Sequence, residues 1–516
     1  MAADPTVREQ DLDELLDMSK MTLATIRPRV PTGTERWMKY LGFPLGILAF
    51  LVIWSMPPLL GMPFAAQTSL AAFAMALIWW TAEPIPTYLT SIVLIVVLVL
   101  FNGWDEKAAL GVLGLDVIWL NVMAFILSSM LVKTNLAKRI ALRLIVSFGQ
   151  RAHAILFAFL ILQLGLAALI PATAARAVMT LPLMLVVSAM YGSTLDSPNR
   201  FGKVMMLQNL HSINTGSSAF VTGSTANLIA VAFIFGMVGH QVYYSDWLFA
   251  NGPIVFLALL GSWWGLRNVI FRLPGEQRSP QVQGGIAKMR EEYQKLGPMR
   301  AEEWRTIAIF GAVLLLWVTD KVHVPLMGFK ISAVMAAAMG AVVAVSPRIG
   351  VLKWNEADIP WHLMLFSAGA YAGGLSLRDT GAARYVVDVL FQSLGITAEL
   401  GFWPVYVIVI AVNMFSHVFF TSKTMRTLIM IPFVIAMAQQ LGFPPLALAL
   451  PAAFTIDWVN TVPINAKPNV IFFTTGQYSV LDSLKAGLFI TTLGTALYVV
   501  AGMTWFRWLG IMDGVP

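Results

Sequence analysis

The sequence predicts an all-α integral membrane protein built from two related halves, and three observations predict it. Of 516 residues, 58% are apolar and only 12% charged, with 39 glycines besides; soluble proteins carry about a quarter of charged residues, and a globule of this composition would hold more apolar side chain than interior. Windows of about 17–21 residues without Asp, Glu, Lys or Arg recur at Gly42–Met62, Ala65–Ala82, Ala154–Pro171 and Phe402–Phe420, and about 20 apolar residues span a bilayer core. Third, short motifs repeat in the same order at a nearly constant spacing. Nucleic-acid binding and a disulfide scaffold are excluded, and the absence of cysteine removes thiol catalysis and Cys-ligated metals.

Residues 1–40 place Asp11, Asp13, Glu14 and Asp17 among Arg8, Lys20, Arg27, Arg29 and Arg36. They lack the apolar core of a signal peptide and are too acidic for a transit peptide, so they read as a cytoplasmic tail. Residues 41–266 form a first membrane half. Residues 267–305 carry eight Lys/Arg, among them Arg267, Lys288 and Arg305, mixed with five glutamates; basic loops mark the cytoplasm. Residues 306–516 form the second half.

The repeat is carried by three pairs. Asp116-Val-Ile-Trp119, with Thr134 to Arg139 following, recurs as Asp358-Ile-Pro-Trp361, with Thr380 to Arg384 following, at an offset of 358 − 116 = 242. Thr173-Ala-Ala-Arg176 with Pro182 recurs as Lys423-Thr-Met-Arg426 with Pro432, offset 426 − 176 = 250. Gly223-Ser-Thr-Ala-Asn227 recurs as Asn465-Ala-Lys-Pro-Asn469, offset 469 − 227 = 242. With tail and central loop both cytoplasmic, the membrane segments between them should be even in number, counting re-entrant pieces as not crossing; two related halves with an odd number of crossings each would be inverted.

The second and third repeats interrupt apolar sequence with Pro, Gly, Ser, Thr and Asn. Irregular backbone at membrane depth survives only where protein or a water-filled cavity satisfies it, so these islands are candidate binding sites, with helices expected to resume at about Ala177, Leu228, Thr427 and Val470. Arg176, Lys423, Arg426 and Lys467 make the islands basic, and Asp457 is the nearby acid. Intramembrane charge is costly and marks function; an excess of positive charge asks for an anion, with arginine forks matched to carboxylate or sulfate. His211 and His417 read as hydrogen-bonded packing residues.

These motifs resemble those of the divalent anion/sodium symporter family, which includes dicarboxylate, citrate and sulfate carriers and 2-oxoglutarate/malate exchangers. Ser422-Lys423-Thr424 resembles the second of the family's two Ser-Asn-Thr motifs, with Lys in place of Asn, and Pro171-Ala-Thr173-Ala-Ala-Arg176 stands where the first belongs. Thr225-Ala226-Asn227 and Lys467-Pro468-Asn469 match its Pro-Asn segments, and Glu83-Pro-Ile-Pro86, Ser245-Asp-Trp247 and Lys295-Leu-Gly-Pro-Met299 are further landmarks. The resemblance implies about eleven transmembrane helices and two re-entrant hairpins in two inverted repeats, scaffold and transport domains moving as an elevator, and a homodimer in the plasma membrane. It implies no cofactor and no enzymatic activity; its partners are membrane lipids and small dicarboxylates of four or five carbons. The substrate would meet Thr173, Arg176, Ser224, Thr225, Asn227, Ser422, Lys423, Thr424, Arg426, Lys467, Pro468 and Asn469. Family sodium sites draw on the two Ser-Asn-Thr motifs, and this chain departs there at Thr173 and Lys423, which points to exchange without sodium; the alternatives are sodium-coupled symport and, from another class, a membrane enzyme. Accessibility labelling is expected to find Arg267–Arg305 on the cytoplasmic side, and reaction from outside would overturn this topology.

Overall fold

The computed structural model describes residues 33–57, 61–194, 197–382, 385, 401–420, 422–463 and 465–515. The expected cytoplasmic tail therefore lies almost wholly outside the described residues, as does Arg384. Among the described residues the regular structure is helical throughout. Seven helices are long and apolar enough to cross a membrane, and an eighth span results if Ala301–Val318 and Asp320–Met327, bent by 65°, are counted together. Five shorter apolar helices accompany them, so length alone does not yield the expected eleven crossings.

In the first half, α1 (Gly33–Ser55), α2 (Phe64–Ala82) and α3 (Thr87–Leu100) precede α4 (Asp116–Lys133) and the short α5 (Leu136–Phe148). Next come α6 (Ala152–Leu169) and α7 (Thr173–Met190), joined by three residues. Gln163 Nε2 donates to Thr180 Oγ1 at 2.8 Å, so the chain turns back on itself there. A helix broken in two follows as α8 (Arg200–Ser217) and α9 (Thr225–Val238), and α10 (Tyr244–Gly265) closes the half. After α11 (Gly285–Lys295), the second half repeats the order: α12 (Ala301–Val318), α13 (Ala333–Val345), α14 (Trp361–Asp379), α15 (Phe402–Phe415), α16 (Lys423–Gln440), the broken pair α17 (Pro445–Thr455) and α18 (Lys467–Phe473), and α19 (Val480–Met503).

Contacts between the halves are reciprocal. Helix α7 packs on α18 while α16 packs on α9, α8 meets α18 while α17 meets α9, and α4 lies against α13 while α14 lies against α3. If element i of one copy touches j of the other, and j of the first touches i of the second, the copies are related as across a twofold interface.

The helices resume one turn earlier than the sequence suggested, at Thr173, Thr225, Lys423 and Lys467. Serine caps explain two of the four. Ser224 Oγ accepts from the Asn227 amide at 3.3 Å, and Ser422 Oγ from the Met425 amide at 3.4 Å, satisfying donors that a helix start would leave orphaned. Arg176, Asn227, Arg426 and Asn469 consequently sit in the first helical turn, where their positions are fixed.

Helix α8 is buried almost along its whole length although it carries Gln208, Asn209, His211, Ser212, Asn214 and Thr215. Buried polar groups require partners: Gln208 donates to the Leu156 carbonyl at 2.7 Å and His211 pairs with Ser262 at 2.8 Å. The outermost helices have the opposite character, with Tyr40, Leu48, Leu315 and Val342 exposed, an apolar girdle suited to lipid.

Two sequence landmarks have structural roles. Asp320 accepts from the Tyr244 amide (2.8 Å) and the Ser245 hydroxyl (2.6 Å), closing the start of α10. Arg139 on α5 is ringed by the Lys295–Met299 motif: it donates to the carbonyls of Leu296 (3.1 Å), Gly297 (2.8 Å) and Pro298 (3.4 Å) and pairs with Glu303. Both members of that pair are buried, so removing one strands the other at a cost of about 3–5 kcal/mol. Arg139→Ala should accordingly produce a large fall in melting temperature in detergent, whereas Lys133→Ala, which breaks the exposed pair with Glu356, should barely shift it.

Candidate functional site

The two helix breaks lie at the centre of this arrangement, and their carbonyls are answered by side chains of the same repeat. In the first break Asn227 Nδ2 donates to the carbonyls of Ser217 (3.1 Å) and Phe220 (2.9 Å). In the second, Asn469 Nδ2 donates to those of Val459 and Val462, both at 3.0 Å. Donor and acceptors are all displaced by 242: 227 to 469, 217 to 459 and 220 to 462. Gly223 is where the first break folds most tightly, because a Cβ there would lie 2.1 Å from the Ser217 carbonyl oxygen.

Arg176 and Arg426, each the fourth residue of its helix, repeat the pattern. Arg176 reaches the carbonyls of Gln163 (3.4 Å), Ile213 (3.4 Å) and Gly223 (3.2 Å) and the Ser217 hydroxyl. Arg426 reaches Thr455 (3.1 Å) and Ile456. The carbonyls of Ile213, Thr455 and Ile456 lie at the C-terminal ends of α8 and α17, the negative ends of half-helix dipoles, where a cation is favoured. Both guanidiniums are fully buried.

Hydrogen bonds then tie break to break. Asn214 Nδ2 donates to Asn469 Oδ1 (2.7 Å) and to the Val459 carbonyl (2.7 Å), and Asn460 Nδ2 to Thr215 Oγ1 (2.9 Å). Ser224 donates to Asp457 Oδ2 at 2.7 Å. Lys423 Nζ lies 3.3 Å from Asp457 Oδ1, with 8% of the lysine side chain exposed and none of the aspartate. This is an ion pair without hydrogen-bond geometry: Lys423 Nζ and Asp457 Oδ1 both lack a hydrogen-bond partner among the described residues, as do Arg176 Nε and the Nε and Nη1 of Arg426. Unused donors on three buried cations thus converge on the breaks.

Trp247 and Asn251 of α10 both donate to the Ser218 carbonyl, at 2.7 and 2.5 Å, so the Ser245-Asp-Trp247 landmark braces the first break. His417 donates from Nδ1 to the Met414 carbonyl and pairs through Nε2 with the Thr461 hydroxyl, each at 2.6 Å.

The structure therefore brings Arg176, Ser224, Asn227, Lys423, Arg426 and Asn469 into one buried network, with Pro468 buried beside Asn469. Thr173, Thr225, Ser422 and Thr424 are half-buried at the starts of their helices. Lys467 stands apart: it is exposed and lines a cavity of about 510 Å³ together with Ala172 of the first hairpin turn, Ser129 of α4, and Asp358 and His362 at the start of α14. Sequence reading missed Asn214, Asn460, Trp247 and Asn251. Asn214 and Asn460 flank the polar islands and could have been suspected as intramembrane amides; Trp247 stood in a landmark motif without an assigned role at the site, and nothing local distinguishes Asn251.

The description "Sodium:sulfate symporter transmembrane region" belongs to a family model that matches residues 35–512, nearly the full length. The chain belongs to this family. Its members are membrane transporters, so the family excludes the reading as an enzyme and makes the chain a multi-pass integral membrane transporter. Among relatives, a "Membrane protein" of Cupriavidus necator is 25% identical over 501 residues, covering 93% of this chain and 94% of its own. The sodium-dependent dicarboxylate transporter SdcS of Staphylococcus saprophyticus is 23% identical over 82% of both chains. SdcS of Staphylococcus aureus is 24% identical over 89% of this chain and 90% of its own. A crystal structure of the Alcanivorax borkumensis YdaH transporter aligns with 94% of this chain and 99% of its own at 13% identity and a TM-score of 0.47.

For this symporter-family chain the amides at the breaks give a direct test. Asn227→Ala and Asn469→Ala each remove two hydrogen bonds to carbonyls of the break, at about 0.5–1.5 kcal/mol per bond. Each variant should lower the melting temperature and weaken apparent anion affinity in uptake assays, with membrane insertion retained.

Proposed function

We propose that the chain is a secondary transporter of divalent organic anions, C4/C5 dicarboxylates such as malate, succinate or 2-oxoglutarate, that exchanges them without requiring sodium. The observation that carries the reading is the excess of buried cations at the paired breaks, Arg176, Lys423 and Arg426 against Asp457 alone, with Arg426 Nε and Nη1 and Arg176 Nε lacking a hydrogen-bond partner among the described residues. Charge at membrane depth is expensive and functional, and an excess of positive charge suits an anion. The dicarboxylate named for the SdcS relatives supports the substrate class.

In this reading Lys423 receives one carboxylate, Arg426 contributes through its free nitrogens, and the serine caps and threonines at the starts of α7, α9 and α16 supply neutral donors. Arg176 acts mainly by holding the end of α8. A sodium ion and a lysine ammonium each bring one positive charge, but the lysine is tethered and cannot be released on the far side. At ~4 Å and an effective dielectric near 20, one charge attracts each unit of substrate charge by roughly 4 kcal/mol before desolvation, so a carrier whose cations face no anion should cross reluctantly. Loaded carriers move and empty ones stall, which is exchange. The reciprocal bundle of α6–α9 with α15–α18 would move as the transport domain of an elevator against α1–α4 and α12–α14, within a homodimer of the plasma membrane whose N-terminus is cytoplasmic.

Sodium-coupled symport is the second reading, favoured by the sodium dependence in the name of the SdcS relatives. Uptake of labelled malate into proteoliposomes, with and without internal dicarboxylate and in sodium or choline buffer, separates the two. Exchange requires internal substrate and is indifferent to the cation. Strong sodium stimulation with empty vesicles establishes the symporter.

A further inference from the structure

The repeat offsets expose an asymmetry at the site. Thr173 opens α7 and Lys423, 250 residues on, opens α16; Thr215 near the end of α8 corresponds to Asp457, 215 + 242 = 457, just beyond α17. Where the first repeat has two threonines, the second therefore has a lysine and an aspartate, and these two meet as a buried ion pair. Thr215 in turn accepts from Asn460, three residues past Asp457. At these two positions only the second half is charged.

Asp457 is also the single carboxylate in the hairpins and broken helices, residues 152–190, 200–238, 402–440 and 445–473. The other charges there divide cleanly. Lys203 pairs with Asp482 at 2.8 Å, and Arg200 donates to the Arg272 carbonyl and is exposed. Lys467 is exposed on the cavity. What remains buried at the breaks is Arg176, Lys423 and Arg426 against Asp457, and the fields of Asp457 and both arginines act on Lys423. The sum is three positive charges less one negative, a net of +2.

Resting on the anion-transport reading above, we propose that Asp457 is the specificity-determining residue for anion valence: by cancelling one of three buried cations it leaves a site that a dianion neutralises. A monoanion leaves one positive charge uncompensated in a poorly solvated interior, and a trianion leaves one negative; both are disfavoured where charge must be paired on burial. Asp457 discriminates through this sum and need not touch the substrate, since one oxygen is held by Ser224 and the other faces Lys423. The role is therefore one of positioning and charge compensation.

The test uses full-length protein in proteoliposomes at mildly alkaline pH, where citrate carries three charges. Competition by unlabelled butyrate, succinate, sulfate and citrate against labelled succinate gives a preference ratio. Wild type should favour succinate over both butyrate and citrate. Asp457→Asn keeps the shape and an acceptor for Ser224 while raising the site to +3, and the succinate-to-citrate ratio should fall by about tenfold or more, the change that about 1.4 kcal/mol produces. Moving the carboxylate to the corresponding place in the first repeat, as Thr215→Asp combined with Asp457→Asn, restores +2 and should bring the ratio back towards wild type. A ratio that Asp457→Asn leaves unchanged overturns the proposal, and so does a ratio that falls but is not recovered in the double variant, because local geometry rather than charge would then decide. If the variants do not fold, wild type still decides: tricarballylate competing as well as succinate sinks the idea. Failure of the underlying reading looks different, since neither labelled succinate nor labelled sulfate would enter at all.

Discussion

Everything at the centre of this protein depends on one constraint: a helix broken inside a membrane leaves carbonyl groups that lipid cannot satisfy. The chain meets the constraint with long, charged or amide side chains placed in the first turn of a neighbouring helix. Asn227 and Asn469 each close two carbonyls of their own break, and Arg176 and Arg426 neutralise the ends of the half-helices before the breaks. A residue type that sequence composition would mark as ligand-seeking is thus partly committed to backbone. The arginines retain free nitrogens, which allows one group to hold the fold and to set the potential of the site.

Symmetry explains how such costly features could be assembled in pairs. Because α7 rests on α18 while α16 rests on α9, any hydrogen bond invented at one break has a counterpart position at the other. The bonds that cross between breaks, from Asn214 to Asn469 and from Asn460 to Thr215, make the two halves a single polar core. Departures from the symmetry are then the informative positions. Replacement of a threonine pair by Lys423 and Asp457 is the largest such departure at the site, since it puts a built-in cation where its counterpart has a neutral hydroxyl.

The peripheral landmarks follow the same logic of satisfied backbone. Arg139 gathers three successive carbonyls of the Leu296–Pro298 turn, and its charge is balanced by Glu303. Asp320 closes the start of α10, from which Trp247 and Asn251 reach the first break. Motifs that stand far apart along the chain are consequently linked to the site through rigid helices rather than through the ligand.

The sequence by itself determined the membrane class, because apolar content and charge-free windows depend on composition and local order alone. It also determined the repeat and the positions of the breaks, since Gly, Pro, Ser and Asn interrupt helices through local backbone chemistry and the offsets of 242 and 250 are arithmetic. Even the correspondence of Thr215 with Asp457 was available from that arithmetic. What only the tertiary structure decided is partnership. Lys423 and Asp457 are 34 residues apart, Ser224 and Asp457 233 apart, and no periodicity brings them together; the first meeting follows from α16 packing on α17 within the second repeat, the second from the way the two breaks meet across the repeats. The buried, polar α8 escaped the apolar windows for a related reason, because its hydrogen-bond partners lie on other helices. Lys467, matched to the site by motif, is turned to the neighbouring cavity, as side-chain direction depends on packing that a linear pattern does not contain.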